Sequence, residues 1–504
     1  MRRLIAYLPL LVLFCALQTA FAQDLASFEK RVQVKTLPNG LTVLLLNRPE
    51  APVFSFFTVV DAGDAQDPIG KTGLAHMMEH MAFKGTTNIG TINITAETAA
   101  LVKVEAAYAN YDRENNRTVN HDEKKVAALK AAWEKAREEA DQYVVKNEFG
   151  EIIERNGGVG LNASTGADST QYFYSLPANR LELWAYLESE RFMHPVMREF
   201  YKERDVVMEE RRMRTDSSPT GRLVEQFLSI AYDGSPYHRP GIGYVSDLKH
   251  FSATDAANFF KTYYVPSNMA VAVVGDLDAA KTFAVIEKYF GRIPSGPKPE
   301  EYITEQTKQS SERTVLLHDP SQPFYIEGYQ KPNFRDKDDE VYSVISSVMS
   351  EGRTSRLFRS LVRDKKIAVA SAGFGGFPGD KYRNLYAFYA VPSQGRGATE
   401  MGTAIHEAID KLKADGVSAD ELKMVKTRSK ATLLRGLANN QGLAINLAEN
   451  QMKYGDWREL FRRIDKIDAV TNEDVKRVAN EIFVESNRTV GIMETKGAAK
   501  GAQR

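Results

Sequence analysis

Gly73-Leu-Ala-His76-Met-Met-Glu79-His80-Met-Ala-Phe-Lys-Gly-Thr86 is the stretch from which the reading of this chain proceeds. His76 and His80 are four residues apart, a spacing that puts both side chains on one face of an α-helix. Two imidazoles so placed can reach a single ion, and imidazole suits Zn²⁺. A catalytic zinc site takes three protein ligands and leaves a position for water. Glu79 points to a similar side without being needed as a ligand, where a carboxylate can take the proton of an attacking water. An ordinary solvated helix can also carry two histidines and a glutamate, so the pentad alone leaves a purely structural role open.

With its flanks, GLAHMMEHMAFKGT resembles the metal-binding segment of the insulinase/pitrilysin family, inverzincins that carry H-x-x-E-H. The chain is also similar to the bacterial relatives of mitochondrial processing peptidase within that family. The resemblance runs from about Val32 to Thr495 and is looser in the second half. It implies a third ligand, a glutamate on a downstream helix. Glu203-Arg-Asp-Val-Val-Met-Glu-Glu210-Arg-Arg-Met resembles that helix and assigns the ligand to Glu210. Glu203, two helical turns earlier on the same face, matches a glutamate that supports catalysis. Spacing alone does not separate Glu210 from its neighbour Glu209. Asn162-Ala163-Ser-Thr through Asp168-Ser-Thr170-Gln-Tyr172 is similar to the family's substrate-binding edge strand, on which Asn162 and Ala163 would hold an extended peptide. Read without the resemblance, it is a Gly-led strand that core packing explains equally well. In the second half, Arg363 matches an arginine that helps fix substrate, but Ala370 stands where active relatives have a tyrosine. Either the protein manages without that tyrosine or a related partner chain supplies it. Ser235-Pro-Tyr-His238-Arg-Pro-Gly-Ile-Gly243 also matches the family, and His238 reads as local structure.

Two segments repeat in register. Ser252-Ala-Thr-Asp255, a helix, Tyr264-Val-Pro-Ser-Asn268 and the strand Met269–Val274 correspond to Thr471-Asn-Glu-Asp474, a helix, Phe483-Val-Glu-Ser-Asn487 and Arg488–Met493. Each opens with a capping-box signal and ends in a β-branched strand. This argues for duplication, and so for an α+β protein of two domains with the fold of mitochondrial processing peptidase and pitrilysin, each a mixed sheet with helices on one face. The expected organisation is a signal peptide at 1–22, a metal-binding domain at 23–292 and a linker at 293–311. A homologous domain without H-x-x-E-H follows at 312–495, with a disordered tail at 496–504. From Thr95 to about Lys146 helix-formers and charges dominate, with Val126, Leu129, Trp133 and Ala136 at helical spacing. That predicts a helical insertion at 95–150, read chiefly as a solvated hairpin with one apolar stripe.

Arg2 and Arg3, the apolar run Leu4–Leu17 and the Ala-Phe-Ala sequence ending at Ala22 have the layout of a secretory signal peptide. Cleavage near Ala22 predicts export to the periplasm or beyond, without stable membrane insertion afterwards. It would also remove Cys15, the single cysteine, leaving no disulfide and no thiol nucleophile. Sixty-six basic residues balance 66 acidic ones, so no basic footprint points to nucleic acid. Gly63 and Gly70-Lys71-Thr72 are too widely spaced for a P-loop, and Gly70–Thr72 reads as the turn opening the histidine helix. No G-x-S-x-G occurs. The reading is a zinc endopeptidase acting on unfolded peptides or small proteins, with Zn²⁺ on His76, His80 and Glu210 and water activated by Glu79. Its rival is a non-catalytic scaffold or assembly subunit of the same fold. Family likeness implies a dimer, and Ala370 favours a heterodimer with a related non-catalytic subunit.

Overall fold

A computed structural model describes residues 25–301 and 303–495. The expected signal peptide at 1–22 and the expected tail at 496–504 lie outside the described residues. Eleven strands form two sheets among the described residues. The first joins β1 (Val32–Thr36), β2 (Thr42–Asn47), β3 (Val53–Val60), β4 (Val159–Thr165), β5 (Thr170–Pro177) and β6 (Met269–Gly275), in the order β1-β2-β6-β3-β5-β4. The second joins β7 (Arg313–Asp319), β8 (Phe324–Lys331), β9 (Ala368–Phe377), β10 (Asn384–Pro392) and β11 (Arg488–Thr495), in the order β7-β11-β8-β10-β9. Only β2–β6 and β7–β11 are parallel, so both sheets are mixed. Removing β1 leaves one strand order used twice, and the protein is α+β with two sheets of one fold.

The repeated sequence signals explain that symmetry. Ser252 with Asp255, and Thr471 with Asp474, form complete capping boxes, each opening a helix that leads into β6 or β11. At the next turn Asn268 Nδ2 donates to the carbonyls of Tyr263 and Asp61, at 3.0 and 3.2 Å. Asn487 Nδ2 repeats this with Ile482 and Gln330, at 3.0 and 2.9 Å. Each asparagine thus ties a helix end to the neighbouring strand, satisfying carbonyls that would otherwise be orphaned.

The helices that position the site follow in chain order: α1 (Leu74–Met81), α2 (Ile94–Asn115), α3 (Glu123–Asp141), α4 (Glu148–Arg155), α5 (Leu181–Met193), α6 (Phe200–Arg211) and α7 (Pro219–Ala231). Helix α8 (Asn440–Tyr454) belongs to the second half. Alternation along the central strands sends Phe54, Phe56, Val271 and Val273 into a core under the first half's own helices. Phe57, Val59, Ala272 and Val274 face the other way, onto Leu443, Ala444 and Leu447 of α8. Reciprocally, Leu223, Phe227 and Leu228 of α7 lie on Ile326, Leu385 and Met493 of the second sheet. Each half lends a helix to the other's exposed face. That is why β6 is buried along its whole length, and it makes the two halves one packing unit.

Helices α2 and α3 pack against each other. The insertion's apolar stripe is not solvated throughout: Trp133 is buried, 5.1 Å from the Tyr201 ring on α6 and stacked on Tyr111 at 5.3 Å. Tyr108 accepts a 2.8 Å hydrogen bond from Arg204 of α6. The insertion therefore braces the helix that carries Glu203 and Glu210.

Candidate active site

Helix α1 begins where Gly73, at φ 93°, turns the chain in a conformation that a side chain would strain. Gly70–Thr72 form the turn before it. The Asp67 carboxylate accepts from the backbone N–H of Gly73 and Ala75, at 2.6 and 2.8 Å, satisfying donors at the helix start. Burial pushes that carboxyl up to about 7 despite those bonds. Thr72 is held by Asp247 through both its N–H and its hydroxyl, at 3.0 and 2.7 Å. Leu74, Ala75, Met77, Met78 and Met81 are buried, so His76, Glu79 and His80 are left facing the opposite helix, α6.

Glu210 Oε2 lies 3.7 Å from His76 Nε2 and 3.5 Å from His80 Nε2. One ligand atom from each residue falls within 4.8 Å of the others. Tetrahedral zinc with ligands at 2.0–2.1 Å sets donors about 3.3 Å apart, so this spacing fits a shared ion better than direct hydrogen bonds. The imidazole rings meet edge to face at 4.9 Å. Burial, with the neighbouring His80 second, lowers His76 to about 4 and keeps it in the neutral form that ligates metals. Burial opposes charge on His80 most strongly, but the bond from its Nδ1 to Glu203 Oε1 at 3.0 Å, together with the negative charges of Glu203, Glu210 and Glu79, raises the ring. Burial likewise opposes charge on Glu203, which is nevertheless held below the usual carboxylate range by His80 and by Lys84 at 2.5 Å. Glu79 moves the other way: burial raises its carboxyl, and Glu210 adds to the effect. Two carboxylates within one site are thus driven apart, one fixed as an anion and one able to hold a proton.

The structure brings together His76, Glu79, His80, Glu203 and Glu210. Glu209 turns to solvent and pairs with Arg212, its Oε2 2.8 Å from Nε. Glu210→Gln is therefore expected to lower zinc affinity by 10-fold or more while Glu209→Gln leaves it as in the wild type, measured by competition with a zinc-binding dye. Equal loss in both variants would remove the distinction. Asn162 and Ala163 lie on β4, the free edge of the first sheet beside α1; Ala163 is buried and Asn162 is exposed. Arg363 lies in the last turn of a short helix of the second half, Phe358–Asp364, and its ion pair among the described residues is with Asp364 at 2.6 Å. His238 Nδ1 bonds to the Ser235 carbonyl at 2.6 Å, a local contact.

Three supports escape sequence reasoning. Arg198, 1% exposed, pairs with Glu97 of α2 at 2.7 and 3.0 Å and donates to the carbonyls of Lys84, Thr86 and Ile89 at 2.7 to 2.8 Å. It clamps the loop after α1 so closely that a Cβ on Gly90, at φ 89°, would meet its Nη1 at 2.7 Å. Asp168, after β4, accepts from Tyr237 and from the N–H of Asp380 at 2.7 Å, linking the site's edge to the second half. Lys84 holds Glu203 from the end of α1's segment. None has a local signal, because every partner is distant in sequence.

The chain is similar to known proteins in sequence and in fold. The family profile described as insulinase, peptidase family M16, matches residues 42–126, and the profile described as the peptidase M16 inactive domain matches residues 250–429. A zinc protease from Helicobacter pylori, PqqE, is 29% identical over 464 residues, covering 90% of each chain. A probable mitochondrial-processing peptidase subunit beta from Arabidopsis thaliana is 23% identical, covering 90% of this chain and 77% of its own. Among solved structures, a protease from Helicobacter pylori matches with a TM-score of 0.77 at 27% identity, over 92% of this chain and 99% of that one. A peptidase M16 inactive domain from Pseudomonas fluorescens shares the fold with a TM-score of 0.72 at 15% identity, over 93% of this chain and 98% of that one. Matches of one family on both halves, joined to a relative aligned along nine-tenths of its length, leave one placement: the chain belongs to the insulinase/pitrilysin family of zinc metallopeptidases, peptidase family M16.

Proposed function

We propose that the chain is a zinc-dependent endopeptidase that hydrolyses peptide bonds in unfolded peptides or small proteins. The reading rests on one observation above all, the convergence of His76, His80 and Glu210 with Glu79 beside them. Both imidazoles through Nε2 and Glu210 through Oε2 would hold the ion. Zinc bound there supplies Lewis acidity toward water and toward a peptide carbonyl. Glu79 takes the proton of the attacking water and returns it to the leaving amine nitrogen, and its raised carboxyl suits both transfers. Glu203 accepts from His80 Nδ1–H, which fixes the tautomer that leaves Nε2 free to ligate. Lys84 neutralises Glu203 and keeps it in place.

Substrate would add to the free edge of β4 as an extended strand, with Asn162 and Ala163 along its path. Arg363 keeps a part in holding substrate only if the peptide spans both halves. Among the described residues the second half, joined through a linker at 293–311, contributes no ligand. Within this reading residues 1–22 direct export and are removed, and the mature chain works in the periplasm or outside the cell. Two such chains would enclose a chamber, and Ala370 favours a related, non-catalytic partner.

The test is zinc content and cleavage of an internally quenched peptide by the chain from residue 23 onward. About one zinc per chain is expected, with cleavage lost on chelation and regained on adding zinc. Zinc without cleavage would point to a missing partner, and a chain that takes up no zinc would overturn the reading.

A further inference from the structure

Glu210 turns only one of its two oxygens to the histidines. Oε2 lies 3.7 and 3.5 Å from their Nε2 atoms, whereas Oε1 is taken by Arg214 Nη1 at 2.7 Å. Arg214 lies one turn after Glu210, in the middle of a π turn, Arg212–Asp216, that continues α6. Widened turns of this kind recur at functional sites. This one is held from several sides. Ser217 N–H donates to the Arg212 carbonyl at 2.8 Å. Arg211, just before the turn, is clamped by Glu225 of α7 at 2.9 and 3.0 Å and by the Gly243 carbonyl at 2.7 Å. Helix α7 packs so closely on the turn that a Cβ on Gly221 would meet the Arg214 carbonyl oxygen at 2.2 Å. Arg222 of the same helix donates to the Asp216 carbonyl at 2.6 Å and pairs with Asp319 of β7. The second half thus reaches the turn through α7, whose apolar side it buries.

We propose that Arg214 is a positioning residue for the metal: by holding Oε1 of Glu210 it limits that ligand to a single oxygen and keeps free the coordination position that water needs. This role rests on the peptidase reading, in which Glu210 is a zinc ligand. Zinc with three protein ligands has one position left for water, and a second oxygen from Glu210 would crowd it. A planar guanidinium suits the task, because its fork fixes direction as well as supplying charge. The Arg214 side chain is 71% exposed and that of Glu210 only 16%. A pair so open to water adds little to stability, and its effect is to be read at the metal rather than in the fold. Charge alone gives the opposite sign. A cation this close repels Zn²⁺, so its removal would tighten binding if Arg214 had no part in orienting the ligand.

The experiment compares the wild type with Arg214→Gln and Arg214→Lys, each loaded with Zn²⁺ or Co²⁺, with melting temperatures checking the fold. Zinc affinity, measured by competition with a zinc-binding dye, is expected to fall about 10-fold or more in Arg214→Gln, the range for removing a group that orients a ligand. The visible bands of bound Co²⁺ are expected to weaken in the same variant, because a chelating Glu210 raises the coordination number. Arg214→Lys, which keeps the charge but not the fork, is expected to fall between the two. In peptide cleavage the loss falls on kcat and leaves KM nearly as it was. Zinc binding in Arg214→Gln as tight as in the wild type or tighter, or an unchanged cobalt spectrum, would overturn the role of Arg214 and leave the peptidase reading intact. If the wild type binds metal but cuts nothing, the affinity and the spectrum still decide that role. A wild type that binds neither metal removes the peptidase reading and the role of Arg214 with it.

Discussion

Glu79→Gln retains zinc at the wild-type stoichiometry and lowers kcat/KM by roughly 10²–10⁴-fold, the range for losing a positioned general base. The argument is geometric. Among the described residues the converging ligand set is His76, His80 and Glu210, and Glu79 is outside it. Its half-buried carboxyl faces the same space, where burial and Glu210 raise its proton affinity. Glutamine preserves the shape and a hydrogen-bonding oxygen but cannot take a proton from water. The loss should therefore fall on kcat and leave KM nearly as it was. Metal analysis beside steady-state kinetics separates the outcomes. Undiminished turnover would place the base elsewhere, and parallel loss of zinc would make Glu79 part of the metal's support.

Arg198→Met is expected to destabilise the fold by about 3–5 kcal/mol, the cost of breaking a buried ion pair from one side. Methionine fills much of the volume but leaves the wholly buried Glu97 carboxylate without its cation. It also strips hydrogen bonds from the carbonyls of Lys84, Thr86 and Ile89. Adding Glu97→Leu should recover part of the loss, because two apolar partners avoid the stranded charge. Thermal and urea unfolding of the single and double variants check this. A single variant as stable as the wild type would mean that the loop after α1 is held by something other than this pair.

Such residues mark how far the chain could be read beforehand. The helix of His76, Glu79 and His80, the paired capping boxes and the repeated Ser-Asn turns all depend on contacts within a few residues. Helical periodicity and helix-end hydrogen bonding impose those contacts directly. The insertion's two helices were legible for the same reason. The burial of Trp133 against Tyr201 was not, because an apolar stripe does not name the surface it will meet.

By itself, then, the sequence determined the duplicated α+β architecture and the face of α1 that carries the two histidines with their glutamate, since both are written in local spacing. Only the tertiary structure shows which of Glu209 and Glu210 faces the two histidines. They are adjacent on one helix, and the choice follows from how α6 docks: its buried side, with Phe200, Tyr201, Arg204, Val207 and Arg211, turns Glu203 and Glu210 toward α1 and leaves Glu209 in water. The reciprocal loan of α7 and α8 between the sheets, and the reach of Arg198 across the loop after α1, were settled in the same way. Their partners lie far apart along the chain, where side-chain packing and charge burial outweigh any preference a short segment can express.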